Sequence, residues 1–351
     1  MSEIHPFRAI TPIDGLGLGY EVYDHFLRMQ SDYDVTTKCY EQKVIYINNI
    51  LKQNLLHLHS DKNFYCCRIS TNTFSIIGLI ALVEVDAVDK TIFRHERCVN
   101  LKRDCYLEYF KKHKTQIAPI ILIHEEIEQI KASLNKIVNQ QNPFFSIKDH
   151  EYQYDLWKID DISYYKKLYN PILQFLVADG HHRLSSVQAL SSNGLITAFL
   201  TSAHDIKSSN IYREYLDVSS ISKKTLFSFL DTNFSIQKIN NKNDMYQFNT
   251  LFFKIDNNIF QIINSDDALV KQQILEFLDT KINYKNYKLN FCNFLHNPYK
   301  NIFTDSTIDV SMLIPALQII NDIRNTPVYP PHSTLFYPKL PEGLVSFHFE
   351  H

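Results

Sequence analysis

Apolar runs that alternate with amphipathic stretches make up the first part of the chain. Runs typical of buried strands occupy Asn72–Asp86, Ile117–Glu125, Ile172–Ala178 and Leu195–Ala203. Apolar residues at helical spacing predict helices over Val44–His59, Leu107–Lys114, Glu125–Asn139, His181–Ser192 and Lys223–Phe234. This mixture of strands and helices is typical of an α/β or α+β protein.

The pattern changes near Ser235, after which asparagine and lysine become frequent. FNTLFFKIDNNIFQIIN predicts a hairpin over 249–264 that turns at Asp256–Asn258. VYPPHSTLFYPKLPEG, which has four prolines, predicts an extended segment packed across the body. We therefore expect a core over residues 1–235 and a smaller α+β region over 236–351 that contains the hairpin and the closing segment.

The most polar stretch at a predicted strand-to-helix junction is FLVADGHHRLSSV, Phe175–Val187. Unpaired N–H groups and the positive end of the dipole make a helix N-terminus an anion site. Gly180 would let backbone approach a phosphate, and His181, His182, Arg183, Ser185 and Ser186 would offer donors. The structural alternative makes Asp179 an N-cap, Gly180 a turn residue and Arg183 an ion-pair partner.

A second charged cluster is RHER, Arg94 to Arg97, after the first long strand. Glu96 beside two arginines and His95 is typical of a solvated salt-bridge face, and also of a carboxylate tuned for proton transfer. There is no GxxxxGK[ST] phosphate loop, and GLGLG at Gly15–Gly19 does not match the dinucleotide fingerprint.

Composition and charge narrow the function classes. The 351 residues carry 36 Lys+Arg against 38 Asp+Glu, a net charge of -2, which argues against nucleic acid as a partner. No apolar run reaches the roughly 20 residues of a membrane span and no signal region is evident, so we expect a cytoplasmic protein without a membrane partner. The six cysteines form no CxxC pair, which indicates reduced structural thiols.

Ordered motifs across the chain carry a family resemblance. HPFRAI, GLIALVEVD with FRHER, LKRD, APIILIHE, LWKID, LVADGHHRLSSV and YPPHSTLFYPKLPEGLV resemble, in order and spacing, the domain-of-unknown-function family 1015. The match runs from His5 to about Val345. The ADGHHR element also resembles the signature of the ParB/sulfiredoxin-like superfamily, and in particular the DGHHR of free serine kinases. That resemblance implies a ParB/sulfiredoxin-like nucleotide-binding core with a mixed sheet and helices.

The resemblance also implies roles for individual residues. Asp179 would bind Mg²⁺ or orient the acceptor hydroxyl, Glu96 would be the general base, and His182 would join them in catalysis. Nucleotide phosphates would be held by Gly180, His181, His182, Arg183, Ser185, Ser186, Arg94, His95 and Arg213. Tyr23, Asp24 and Lys339 would bind substrate. Relatives continue the motif with a tyrosine and a Glu-Thr-Ala triplet where this chain has Leu184–Val187, a difference that bears on the acceptor.

The implied activity is phosphoryl transfer from ADP or ATP, with Mg²⁺, to a small hydroxylated metabolite, L-serine being the first choice. The expected partners are the nucleotide and that substrate, with a homodimer as an option. Two alternatives stay open: a non-catalytic nucleotide-binding regulator of the ParB type, and a metal-dependent hydrolase that uses the histidine-rich junction.

Overall fold

The computed structural model shows a mixed α/β protein whose chain divides into two compact units. The first unit comprises residues 1–94, 98–206 and 338–351, and the second comprises 95–97 and 207–337. The structure describes residues 3–12, 56–148, 152–191, 194–239, 250–263, 268–282, 286–292, 308–314, 328–330 and 333–349. The boundary predicted at residue 235 lies inside the second unit, because the change in composition comes one strand and one helix after residue 206.

Strands among the described residues of the first unit form a nine-stranded sheet and two short pairs. The strands in chain order are β1 (Ile4–His5), β2 (Ile10–Pro12), β3 (Leu56–Leu58), β4 (Phe64–Ser70), β5 (Ser75–Glu84), β6 (Ile92–Phe93), β7 (Thr115–Gln116), β8 (Ile120–His124), β9 (Phe145–Lys148), β10 (Gln153–Ile159), β11 (Phe175–Asp179), β12 (Leu195–Ser202) and, after the second unit, β20 (Phe347–His348). The sheet order is β6-β11-β8-β12-β5-β4-β10-β9, with β1 beside β5.

The central strands β8, β11 and β12 are buried along almost their whole length, as expected for strands covered on both faces. β8 runs parallel to β12 and antiparallel to β11, while β6 runs parallel to β11. The carboxyl ends of β6 and β11 therefore lie at one edge of the sheet, and those of β8 and β12 lie at the opposite edge.

The described residues of the first unit form four helices: α1 (Asn100–His113), α2 (Glu128–Gln140), α3 (Ile162–Tyr169) and α4 (His181–Leu190). α2 packs on β4 and β5 through the buried Ile130 and Leu134, and α4 packs on β8 and β12. α1 lies against α4 and ends at His113, because the left-handed backbone of the following Lys114 (φ 52°) stops the helix.

In the part of the second unit that the structure describes, the chain forms a seven-stranded sheet and two helices. Its helices are α5 (Ser220–Asn233) and α6 (Ala268–Lys281). Its strands are β13 (Lys207–Leu216), β14 (Ile236–Ile239), β15 (Phe252–Ile255), β16 (Asn258–Ile262), β17 (Asn286–Cys292), β18 (Val310–Ile314) and β19 (Leu335–Tyr337). The order is β14-β16-β15-β18-β13-β17, with β19 paired to β13. β15 and β16 confirm the predicted hairpin, since Ile255 pairs with Asn258 across its turn.

One helix prediction needs correction. Val44–His59 was predicted as a helix, but Leu56–Leu58 is strand β3, paired with Ile10–Pro12. Pairing with a distant segment overrides the local periodicity there, and residues 44–55 lie outside the described part. Within the predicted closing segment Val328–Gly343, Leu335–Tyr337 is strand β19, and Phe336 and Leu340 are buried. After it, β20 (Phe347–His348) pairs with β7.

Candidate phosphate-binding site

The predicted strand-to-helix junction is present and depends on Gly180. β11 ends at Asp179, Gly180 has a left-handed backbone with φ 98°, and α4 begins at His181. A Cβ on Gly180 would lie 2.5 Å from Cγ2 of Ile120 on β8. Both the positive φ and this close approach require glycine, so the backbone of the first turn of α4 lies tight against the sheet.

Asp179 is held between two cations. Its Oδ1 lies 2.9 Å from Nζ of Lys339, and its Oδ2 accepts a hydrogen bond of 2.7 Å from Nη2 of Arg183. Burial raises the pKa of this carboxyl. Lys339, followed by Arg183, lowers the pKa by more than burial raises it, so the pKa is well below its usual range. Asp179 is therefore ionised at neutral pH and would be a poor proton acceptor.

Arg183 also fixes the chain before β8. Its Nη1 donates to the carbonyl oxygens of Ala118 and Pro119, at 2.8 Å each. With the bond to Asp179, these contacts use three donors of a guanidinium that has five. Arg183 is thus an ion-pair partner, as the structural alternative in the sequence analysis had it. It both holds the backbone at the junction in place and adds a positive charge there.

His182 is a neutral acceptor in this structure. Its Nε2 lies 3.0 Å from the backbone N–H of Val99, which donates to it just before α1. Burial, with help from the cation of Lys102, lowers the pKa of His182 to about 4. The imidazole is therefore uncharged at neutral pH and, because Nε2 accepts, carries its proton on Nδ1.

The serines of the motif differ in their accessibility. Ser186 is fully buried, and its hydroxyl lies 2.7 Å from the carbonyl oxygens of both His182 and Arg103. Ser185 is partly exposed, with its Oγ 3.2 Å from Sγ of Cys98. The Ser186 hydroxyl therefore joins α4 to α1, and the phosphate contacts predicted for both serines stay predictions.

Arg94 lies after β6, whose carboxyl end is at the same sheet edge as that of β11. Its Nη2 donates to the side chain of Gln188, about two helical turns beyond the start of α4. Arg94 therefore holds the far part of α4, and its predicted phosphate contact stays a prediction.

Three predicted site residues belong to the second unit. Glu96 is buried, and its Oε2 accepts from the backbone N–H groups of Ser333 and Thr334, at 3.1 and 3.3 Å, and from the Thr334 hydroxyl at 3.0 Å. His95 Nε2 lies 2.6 Å from the same hydroxyl. Arg213 is fully buried on β13, 3.7 Å from Asp279. Their proposed chemical roles stay predictions.

The remaining predicted residues differ in whether the structure describes them and in how exposed their side chains are. Tyr23 and Asp24 fall outside the described residues. His181 is described and is almost completely buried at the first position of α4. Lys339, in contrast, has an exposed side chain, so it is the part of the junction most open to a ligand.

A family model for a protein of unknown function, DUF1015, matches residues 26–281. The chain belongs to this family. Among curated proteins, none matches the sequence. In the described residues no helix is long and apolar enough to cross a membrane.

Solved structures with a similar chain trace include a free serine kinase in complex with AMP, at 13% identity and TM-score 0.43, covering 76% of this chain and 92% of that one. SbnI with a C-terminal truncation, from Staphylococcus aureus, has 12% identity and TM-score 0.44, with 75% and 85% covered. A conserved hypothetical protein from Pyrococcus furiosus has 13% identity and TM-score 0.42, with 75% and 93% covered. At these values the similarity supports no conclusion about function.

The predicted magnesium ligand does not fit its surroundings in this DUF1015 member. Mg²⁺ needs oxygen ligands, and both oxygens of Asp179 are engaged by Lys339 and Arg183. Within the described ranges, no three His, Cys, Asp or Glu side chains cluster as a metal site. Asp179 therefore orients the cations of Lys339 and Arg183 here.

Lys102 is a site residue that the sequence analysis missed. It lies in the first turn of α1, close enough to His182 to lower the pKa of that side chain. LKRD was recognised as a family motif, but nothing in its spacing placed it beside a junction about eighty residues later. Only the packing of α1 on α4 brings the two motifs together.

Proposed function

We propose that the Asp179–Gly180 junction binds the phosphate groups of ADP or ATP, and that the protein transfers a phosphoryl group to a small hydroxylated metabolite. L-serine is the first acceptor to test, on the strength of the DGHHR resemblance to free serine kinases. The observation that carries the proposal is the Asp179 carboxylate, fixed between Lys339 and Arg183 at the N-terminus of α4.

Positive charge exceeds negative charge at this junction. Lys339 and Arg183 both contact the Asp179 carboxylate, and Lys102 lies close to His182 in the first turn of α4. The dipole of α4 adds further positive potential, and Gly180 has no side chain to cap the first turn. A phosphate group is the kind of anion that such a combination favours.

The residues would act mainly by positioning and by stabilising charge. Lys339 has a side chain that is 45% exposed and can turn towards a phosphoryl oxygen while Asp179 keeps it at the junction. Asp179 would orient Lys339 and the acceptor hydroxyl, since its low pKa makes it a weak base. Phosphoryl transfer needs little more from a protein than such placement.

The proton acceptor is assigned from the family motif alone. Glu96 is the predicted general base, and its carboxylate is described within the second unit, bound to Ser333 and Thr334. Mg²⁺, if it takes part, would arrive on the nucleotide, where phosphate oxygens are its usual ligands.

A nucleotide-binding regulator without turnover is the second candidate. It is favoured by one observation: Asp179 is ion-paired on both oxygens and His182 accepts a backbone hydrogen bond, so neither group is set up as a base. The hydrolase alternative gains no support from the described residues, where no metal-type cluster occurs.

Phosphorus NMR separates these functions. The protein would be incubated with Mg²⁺, ADP or ATP, and a panel of hydroxylated amino acids and sugars. A new phosphomonoester that depends on Lys339 supports the kinase. Binding of nucleotide with no product from any acceptor supports the regulator, and inorganic phosphate released with water as the acceptor supports the hydrolase.

A further inference from the structure

A polar pocket lies at the edge of the first unit's sheet opposite the Asp179–Gly180 junction. The carboxyl ends of β8 and β12 meet there, with Ser202 opposite His124. One face of α2 forms a wall, and the pocket has a volume of about 100 Å³. Its polar lining includes His124, Glu126, Lys131, Tyr169, Ser202 and Asp205. Because β11 is antiparallel to β8, this pocket and the phosphate junction are at opposite edges of the sheet.

Two buried polar atoms in the pocket lining lack a protein partner. His124 and Tyr169 are each 2% exposed, and neither His124 Nε2 nor Tyr169 Oη has a hydrogen-bond partner among the described residues. His124 Nδ1 lies 2.6 Å from the carbonyl oxygen of Glu125, so Nδ1 carries the proton and Nε2 is an acceptor. Buried polar groups are nearly always paired, which makes a ligand with a donor a natural complement.

The charges around these atoms favour a cation. Glu126 and Asp205 supply two carboxylates, and Lys131 is the single lysine or arginine of the described lining. Lys131 is paired with Glu126 at 3.0 Å. Burial raises the pKa of Asp205, so its ionised form is costly there and would gain from a further cation.

We propose that this pocket binds a small primary ammonium compound that also carries a hydroxyl group. The ammonium group would lie between Asp205 and Glu126, and the hydroxyl would donate to His124 Nε2 beside Tyr169 Oη. The volume sets the size, since a cavity of about 150 Å³ accommodates benzene and this one is smaller. The ligand is therefore separate from the nucleotide at the other edge, and its binding does not depend on the proposed phosphoryl transfer.

Ethanolamine is the probe that tests this proposal, with ethylene glycol and glycolate as compounds of similar size. The full chain, labelled with ¹⁵N, is titrated with each compound while the Nε2 signal of His124 is followed. Ethanolamine should shift that signal saturably with a Kd in the millimolar range, as expected for so small a ligand. Glycol, which lacks the cation, and glycolate, which is an anion, should give no saturable shift.

Matched variants make the result specific to the pocket. Asp205→Asn should raise the Kd for ethanolamine about tenfold or more. Tyr169→Phe should raise it severalfold without lowering the melting temperature, because the deleted hydroxyl has no described partner. Glu108→Gln, an exposed acid on α1, should leave the Kd unchanged. No saturable shift, equal binding of glycol, or an unchanged Kd in Asp205→Asn would overturn the proposal.

Discussion

The Nζ of Lys339 lies 2.9 Å from Oδ1 of Asp179 although the two residues are far apart in sequence. The contact joins the closing segment of the chain to the end of β11. It gives the Asp179–Gly180 junction an exposed cation that the strand and the helix do not supply. This pair is the basis of the proposed phosphate site and of the first prediction.

Lys339→Met should weaken the binding of ADP about tenfold to a hundredfold. The phosphate would lose one charge-assisted hydrogen bond, which contributes about 1.5–3 kcal/mol. Isothermal titration calorimetry measures the change. Lys90→Met is the matched control, because Lys90 is also exposed and ion-paired, with Asp86. Equal ADP affinity in wild type and Lys339→Met would rule out the lysine as a phosphate ligand.

Asp179→Asn should make the free energy of unfolding depend less on pH in the acid range. Lys339 and Arg183 hold the folded pKa of Asp179 below its unfolded value despite burial, so the ion pairs stabilise the fold above about pH 4. Wild type loses that contribution as the pH falls below 4, whereas the variant has already lost it. Urea unfolding between pH 3 and pH 7 measures the difference. Asp86→Asn, which also removes a paired acid, is the matched control.

His182→Gln should make the free energy of unfolding less dependent on pH between pH 6.5 and pH 4. The folded pKa of His182 is about 4, lowered mainly by burial, against an ordinary value of 6.5. The unfolded chain therefore binds the extra proton first, and the free energy of unfolding falls as the pH drops from 6.5 to 4, by about 3 kcal/mol at most. Glutamine can still accept from the Val99 N–H and does not titrate.

The same urea experiment tests His182→Gln within that window. His59, whose pKa burial also lowers to about 4, contributes a similar slope and should retain it in the variant. A slope in His182→Gln as steep as that of wild type would show that His182 is not neutral in the folded protein.

Gly180→Ala should destabilise the fold by about 1–3 kcal/mol and weaken ADP binding. The alanine would have to adopt φ 98° and place its Cβ 2.5 Å from Ile120. Thermal unfolding and ADP titration together detect both effects. Gly194→Ala is the milder control, because its Cβ would lie 3.0 Å from Val187 and its φ is not positive. Wild-type stability and affinity in Gly180→Ala would contradict the close approach of backbone at the junction.

Glu96→Gln should lower kcat about a hundredfold or more if Glu96 is the base predicted from the RHER motif. The amide oxygen can still accept from Ser333 and Thr334, so the fold and the Kd for ADP should change little. Product formation followed by phosphorus NMR gives the rate. Turnover at the wild-type rate would leave Glu96 as a structural anchor for residues 333 and 334.

The sequence predicted the junction because its signals are local. A buried run, Asp-Gly and a helical pattern determine β11, Gly180 and α4 without reference to the rest of the chain. Lys102 and the carbonyl groups of Ala118 and Pro119 were not predictable in this way, since they reach the junction only through the packing of α1 and the register of β8 on β11. The helix prediction was wrong at Leu56–Leu58 for the same reason, because the partner strand β2 is distant in the sequence.

The route of the chain has a consequence for how the protein is made. The first unit is interrupted by residues 207–337, and Lys339 follows that insertion. On the ribosome, β11 and α4 emerge well before the lysine that pairs with Asp179, by on the order of 10 s at usual elongation rates. During that interval the nascent protein carries Asp179 with Arg183 but without Lys339. The proposed nucleotide site would therefore be complete only after the second unit has been synthesised. A nascent chain on a ribosome that stalls while translating the second unit would have that site without Lys339.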